Sequence, residues 1–189
     1  STKVIVLRFG DRRLPRALAS LPTWRGGEAG VVEAAITDAG RVVVVGSDAD
    51  LAAVLTRLMR TERLDVEVAH VEGGRGARRA LTGVARRVPL IRDDTAATLV
   101  GTALWLPPGQ SQLIRGEAVV DDAVLFDGEV AGVRIEPTSA MPGLRAAVLT
   151  GRRRRWLTGR AIQLGTTGAR VVRDGVEGPR EVKRSTFYR

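Results

Sequence analysis

Four consecutive valines at positions 42–45 constrain this chain more than any other feature of its sequence. A run of β-branched residues with no polar position has no face to offer water, so it suits a strand covered on both sides, as in a parallel sheet. Parallel neighbours need crossover segments, and the flanking sequence supplies them. Residues 4–7 are apolar, residues 13–21 read as a short helical stretch, residues 23–27 as a loop and residues 30–36 as a strand or short helix. After the valines, Gly46-Ser47-Asp48-Ala49-Asp50 leads into residues 51–59, whose apolar positions recur at helical spacing. A third unit follows, with a strand over 65–71, the loop Glu72-Gly73-Gly74-Arg75-Gly76, and a helix expected over 77–87. This order predicts a small doubly wound parallel α/β domain over residues 1–92.

Near residues 89–94 the character changes. Short strand candidates take over at 98–106, 112–120, 130–135, 144–149, 156–164, 169–173 and 181–188. Turn residues separate them: Pro107-Pro108-Gly109, Asp127-Gly128, Met141-Pro142-Gly143, Gly165-Thr166-Thr167-Gly168 and Asp174-Gly175. Residues 93–189 therefore read as a β-rich, sandwich-like domain, and the whole as an α/β + β chain.

Composition narrows the chemistry. With 44% hydrophobic residues, the 189-residue chain can bury real cores, which argues against disorder. No apolar stretch is long enough for a membrane span, so a cytoplasmic location is expected, with peripheral membrane attachment left open. The absence of cysteine removes disulfides and thiolate metal sites, and the single histidine, His70, removes multi-histidine sites, so no metal site is expected. The net charge is +9, and lysine occurs only at Lys3 and Lys183, so 28 of the 30 basic residues are arginine. Arginine grips phosphate and carboxylate bidentately, which favours a phosphorylated small molecule or an anionic lipid headgroup as partner. The same bias also arises from a GC-rich genome. Nucleic acid is disfavoured by an aromatic content of 4%, although Arg152, Arg153, Arg154 and Arg155 before Trp156 form a dense basic run. A homo-oligomer stays open.

Candidate site residues lie where strands give way to helices. Gly46, Ser47 and Asp48 occupy the place where α/β folds receive phosphates, yet Ser47 with Asp50 three residues on also has the form of a capping box. Gly73, Gly74 and Arg75 could wrap an anion with backbone amides, or form a plain flexible turn. His70, two residues before Glu72, reads more simply as a hydrogen-bonded strand-end residue. The acidic pairs Asp93-Asp94 and Asp121-Asp122, and Asp127 with Glu129, could each hold Mg²⁺ through oxygen ligands, but have the look of solvated turn residues.

Taken in order, these segments resemble a shortened, degenerate relative of the diacylglycerol kinase and NAD kinase superfamily. Its signature is a Gly-Gly-Asp-Gly-Thr loop after a buried strand, and Val45-Gly46-Ser47-Asp48-Ala49-Asp50-Leu51 is similar to it. Gly73-Gly74-Arg75-Gly76-Ala77-Arg78-Arg79 is similar to the family's second phosphate loop, and Asp174-Gly175-Val176 to the remnant of a catalytic Asp-Gly-Glu turn. The resemblance implies an α/β nucleotide-binding domain joined to a β-rich domain, with ATP and Mg²⁺ in the cleft between them. It implies that Asp48 positions ATP and Mg²⁺ and that Gly46, Ser47, Gly73, Gly74 and Arg75 approach phosphate. Asp174 would be the remaining acid/base group. The departures fall on the chemistry: Ser47 and Ala49 stand where the family has glycines, Asp50 where it has threonine, and Val176 where it has the catalytic glutamate. Two readings follow. One is a lipid-kinase-like protein binding a nucleotide or phosphorylated ligand, with residual catalysis at most. The other is a non-catalytic regulatory protein, a pseudoenzyme, docking through its arginines on an acidic partner, membrane surface or nucleic acid.

Overall fold

In the computed structural model, which describes residues 2–189, the chain divides into two compact units, one ending at Arg87 and one running from Val88 to Arg189.

The first unit is the expected parallel α/β layer. Strands β1 (Val4–Arg8), β2 (Thr23–Arg25), β3 (Arg41–Val45) and β4 (Glu67–Val71) form one sheet in the order β2-β1-β3-β4, every pair parallel. The four valines lie in β3 between β1 and β4, and all four are buried. Their alternation divides the core. Val42 and Val44 pack with Ile5, Leu7, Val54 and Leu58 on one face, under helices α1 (Val31–Ile36) and α2 (Asp48–Arg60). Val43 and Val45 pack with Val6, Leu18, Val71, Ala77 and Ala80 on the other, under helix α3 (Ala77–Thr82) and a 3₁₀ turn at Arg16–Leu18. Each fully buried Val or Leu contributes about 1.5–3 kcal/mol. The two faces together therefore explain why the valine run tolerates no polar residue.

Several expectations are corrected. Residues 23–27, read as a loop, contain β2, an exposed edge strand held by its backbone to β1 rather than by apolar side chains. The helix expected over 77–87 ends at Thr82. Arg41 ends it from outside: its guanidinium donates to the carbonyls of Ala80, Leu81 and Gly83 at 2.8–3.0 Å and pairs with Glu67. These are carbonyls that a helix end leaves unsatisfied, here capped by a residue some forty positions earlier.

The second unit is a network of eleven antiparallel strands around a single core. They are β5 (Ile91–Asp93), β6 (Thr98–Leu99), β7 (Ala103–Leu106), β8 (Ile114–Val120), β9 (Ala123–Val130), β10 (Val133–Pro137), β11 (Leu144–Val148), β12 (Leu157–Gly159), β13 (Ala161–Arg173), β14 (Val176–Glu177) and β15 (Val182–Tyr188). Gly165-Thr166-Thr167-Gly168 is no turn. It is an irregularity inside the 13-residue β13, where the register shifts between Gly165 and Ala169. Before it β13 pairs with β8 and β15; after it Ala169 still pairs with Val182 of β15, and the strand goes on to pair with β7 and β14, so one strand serves two parts of the sheet. Trp105 of β7 reaches across to β15, its ring 6.2 Å from that of Phe187 and its indole N–H donating to Ser185 Oγ at 3.0 Å. Asp127-Gly128 likewise lies within β9, paired with Glu117 and Gly116, and the β8–β9 reversal is made by Asp121-Asp122. Asp174-Gly175 forms the expected hairpin turn, with φ of 49° and 82°.

Two acidic residues expected to be solvated are structural instead. Asp93 is fully buried, pairs with Arg173, and accepts from the amides of Thr95 and Ala97. Asp121 accepts from the amides of Arg160 and Ala161. No helix among the described residues is long and apolar enough to cross a membrane.

Candidate functional site

The crossovers of the first unit run in opposite directions from the centre of its sheet. From β1 the chain passes to β2 by the 3₁₀ turn on one face, whereas from β3 it passes to β4 by α2 on the other. The carboxyl ends of β1 and β3 are therefore a topological switch point, the place where open α/β sheets receive ligands. Arg8 ends β1, and Gly46 follows β3.

The Gly46 loop is built tightly. Ser47 Oγ accepts from the amide of Asp50, and Asp50 Oδ2 accepts from the amide of Ser47 at 2.8 Å, a complete capping box. A Cβ on Gly46 would stand 2.6 Å from Asp50 Oδ2, so the glycine is required by the cap itself. Asp48, the first residue of α2, is left half-exposed, with its carboxylate 3.8 Å from His70 Nδ1. His70 Nε2 lies 2.7 Å from the carbonyl oxygen of Gly46. Glu72, just past β4, brings a third donor, and one ligand atom from each of Asp48, His70 and Glu72 lies within 4.8 Å of the others. The Arg12 guanidinium donates to the backbone carbonyl of Glu72 at 3.1 Å and ties down the start of the next loop.

In that loop a Cβ on Gly73 or Gly74 would meet nothing within 4 Å, and neither has positive φ. Neither glycine is demanded by packing or by backbone conformation. Gly76 differs, since its φ of 91° favours glycine at the entry to α3. Arg75 is exposed. Beside the loop, Pro15, Arg16, Ala17, Gly74, Gly76, Ala77, Arg78 and Arg79 line an open groove of about 740 Å³.

Arg8 adds a residue that sequence reasoning missed. Its Nε is buried without a hydrogen-bond partner among the described residues. By strand alternation its side chain shares the sheet face of Val4 and Val6, the face covered by α3 and the 3₁₀ turn. An unsatisfied buried donor of this kind is costly, about 1–3 kcal/mol, unless a ligand or water completes it. The only sequence signal for Arg8 is a cation ending an apolar strand.

Asp174 belongs to the second unit. Its carboxylate accepts from the amides of Val100, Gly101 and Thr102 at 3.0, 2.7 and 3.0 Å, fastening the β13–β14 turn to the segment between β6 and β7. Val176, which follows it, is 57% exposed. Arg152, Arg153, Arg154 and Arg155 are all exposed, and the neighbouring Trp156 ring stacks under Arg145 at 4.1 Å.

Mg²⁺ prefers oxygen ligands, and the third donor beside Asp48 and Glu72 is an imidazole nitrogen, so this set does not fit that ion. The arginines and the unencumbered Gly73 and Gly74 do fit the phosphates of a nucleotide.

No family profile and no curated relative matches the sequence. Solved structures do match the fold. A provisionally assigned diacylglycerol kinase from Bacillus anthracis superposes with a TM-score of 0.72 at 10% identity, covering 100% of this chain and 95% of that one. An NAD kinase from Archaeoglobus fulgidus, solved in complex with ATP, gives 0.62 at 13% identity and covers 98% and 89%. Yeast NADH kinase complexed with NADH gives 0.59 at 8% identity, with 98% and 77% covered.

Proposed function

We propose, from the fold this chain shares with the solved diacylglycerol and NAD kinases, a parallel α/β unit followed by an antiparallel β-rich unit, that it binds a nucleotide or another phosphorylated ligand at the carboxyl ends of its parallel strands and does not transfer phosphate efficiently. The observation that carries the reading is Arg8: a buried guanidinium nitrogen without a partner, at the switch point, on the sheet face of the arginine-lined groove. A phosphate at the Gly73-Gly74 loop would accept from Arg8, Arg75, Arg78 or Arg79 and approach backbone that carries no side chain. ATP is the first ligand to test, because a neighbour of this fold is known with ATP.

The weak-catalysis half of the proposal rests on Asp174 and Val176. Three amides already occupy the oxygens of the Asp174 carboxylate, which is engaged in holding a turn rather than left open to a substrate. An alkyl side chain follows where the family pattern has glutamate. The Gly46 loop contributes shape rather than free amides, since the Ser47 N–H is held by Asp50.

The test is calorimetric titration with ATP, and with NAD in parallel, of the wild-type chain and of Arg8→Ala, Gly74→Val and Asp48→Ala. Arg8→Ala and Gly74→Val are expected to weaken binding tenfold or more. Equal affinity in all four proteins would remove the reading. The exposed run of four arginines supports the alternative of docking on an acidic surface, whose mark would be affinity falling steeply with salt.

A further inference from the structure

On the opposite face of the sheet from the arginine-lined groove, the carboxyl ends of β3 and β4 hold a set of side chains that the phosphate reading does not use. In a parallel pair, residues in register share a face, and His70 is in register with Val44 on the face covered by α2. There His70 meets Asp48, the first residue of that helix, and Glu72, two residues further along its own chain.

The orientation of the ring is fixed by a group outside the cluster. The Gly46 carbonyl can only accept, so at 2.7 Å it takes the proton of Nε2. In the neutral imidazole this leaves Nδ1 with a bare lone pair 3.8 Å from the carboxylate of Asp48, too far for a hydrogen bond. That lone pair and the carboxylate repel each other unless a proton or a metal cation lies between them, and Glu72 brings a second carboxylate into the same group. Backbone carbonyls perform this service for metal-bound histidines, holding one ring nitrogen so that the other is presented as a ligand.

We infer that Asp48, His70 and Glu72 form a binding site for a divalent cation of the zinc type. One nitrogen and two carboxylate oxygens are a donor set for borderline ions and a poor one for Mg²⁺. The dimensions are close to those required. Tetrahedral ligands about 2.0–2.2 Å from an ion stand roughly 3.3–3.6 Å apart, while Asp48 and His70 are 3.8 Å apart and all three donors lie within 4.8 Å of one another. Neither carboxylate is held by another side chain among the described residues, so a small rotation closes the difference. Three protein ligands leave room for water or for an oxygen of a bound anion. The site needs no nucleotide, and its test uses the metal alone.

His70 is the only histidine in the chain, so its imidazole gives one unambiguous side-chain ¹⁵N signal in an untagged protein. Titrating that protein with Zn²⁺ is expected to show one equivalent bound, with the Nδ1 resonance moving to a metal-bound position and Nε2 retaining its proton. Asp48→Asn, Glu72→Gln and His70→Ala, each removing a ligand, should each weaken Zn²⁺ affinity by no less than the ~10- to 100-fold that loss of an outer-shell partner costs. Millimolar Mg²⁺ should not displace the zinc. The inference is overturned if Zn²⁺ leaves the imidazole resonances unmoved, if it binds His70→Ala as tightly as wild type, or if Mg²⁺ competes on equal terms. Should His70→Ala fail to fold for want of its bond to Gly46, the two carboxamide variants and the imidazole signal decide the question.

Discussion

Replacing Asp174 separates a catalytic from a structural role for that residue. Its carboxylate accepts three amide hydrogen bonds, from Val100, Gly101 and Thr102, across more than seventy positions of sequence. Hydrogen bonds to a charged acceptor contribute about 1.5–3 kcal/mol each, so the gross interaction is on the order of 4–9 kcal/mol. The site is only half-buried, and water can reclaim some of the freed amides, which reduces the expected loss for Asp174→Ala to roughly 2–4 kcal/mol. Alanine also tolerates the left-handed φ of 49° less well than aspartate does. Asp174→Asn keeps the turn and one acceptor oxygen but turns an NH₂ group toward a backbone N–H, with an expected cost of about 1–2 kcal/mol. Urea unfolding followed by tryptophan fluorescence reads this well, because Trp105 is buried in the same unit. A loss of 3 kcal/mol should lower the unfolding midpoint by about 1–3 M urea. If Asp174→Ala unfolds within about 0.5 kcal/mol of wild type, the carboxylate is not a structural fastening and its role in chemistry must be reopened.

Two further perturbations test the architecture. Arg41→Ala removes the external cap from α3, exposing three carbonyls and the Glu67 partner; it should destabilise the first unit by about 2–3 kcal/mol, read as faster amide exchange in α3, and unchanged exchange there would refute the cap. Glu136 is 18% exposed; burial pushes its carboxyl upward, but hydrogen bonds and charge from Arg145 and Arg134 outweigh this and hold it below the usual glutamate range. A lowered folded value means that the stabilisation is complete above the unfolded pKa and disappears as the pH falls through the folded one. Wild type should therefore exceed Glu136→Gln in stability at pH 7, with the gap narrowing toward pH 3, and a gap of constant size would contradict the network.

Much of both units was legible from local pattern. The valine run fixed a two-sided strand, the Ser47–Asp50 spacing fixed a helix start, and Asp174-Gly175 fixed a hairpin, because each depends on residues within a few positions of one another. The misread segments are those decided by distant partners. An exposed edge strand such as β2 is made by backbone pairing and has no side-chain signature. The glycines and threonines inside β13 look like a turn, yet close packing of Gly116 on Gly165 and the shift of register make them the bend that lets one strand serve two parts of a sheet.

The candidate site divides in the same way. Asp48, Gly73, Gly74 and Arg75 announce themselves by standing where strands give way to helices, so sequence alone could nominate them. What each can do depended on neighbours that sequence does not bring together. The β3–β4 register set His70 beside Asp48, and the reversal of crossovers made Arg8 a switch-point residue. Three amides from a remote segment turned Asp174 into a fastening. Local sequence determines periodicity and caps because these are short-range free energies. Chemistry between side chains depends on distances of a few ångströms, and only strand order, register and packing set those.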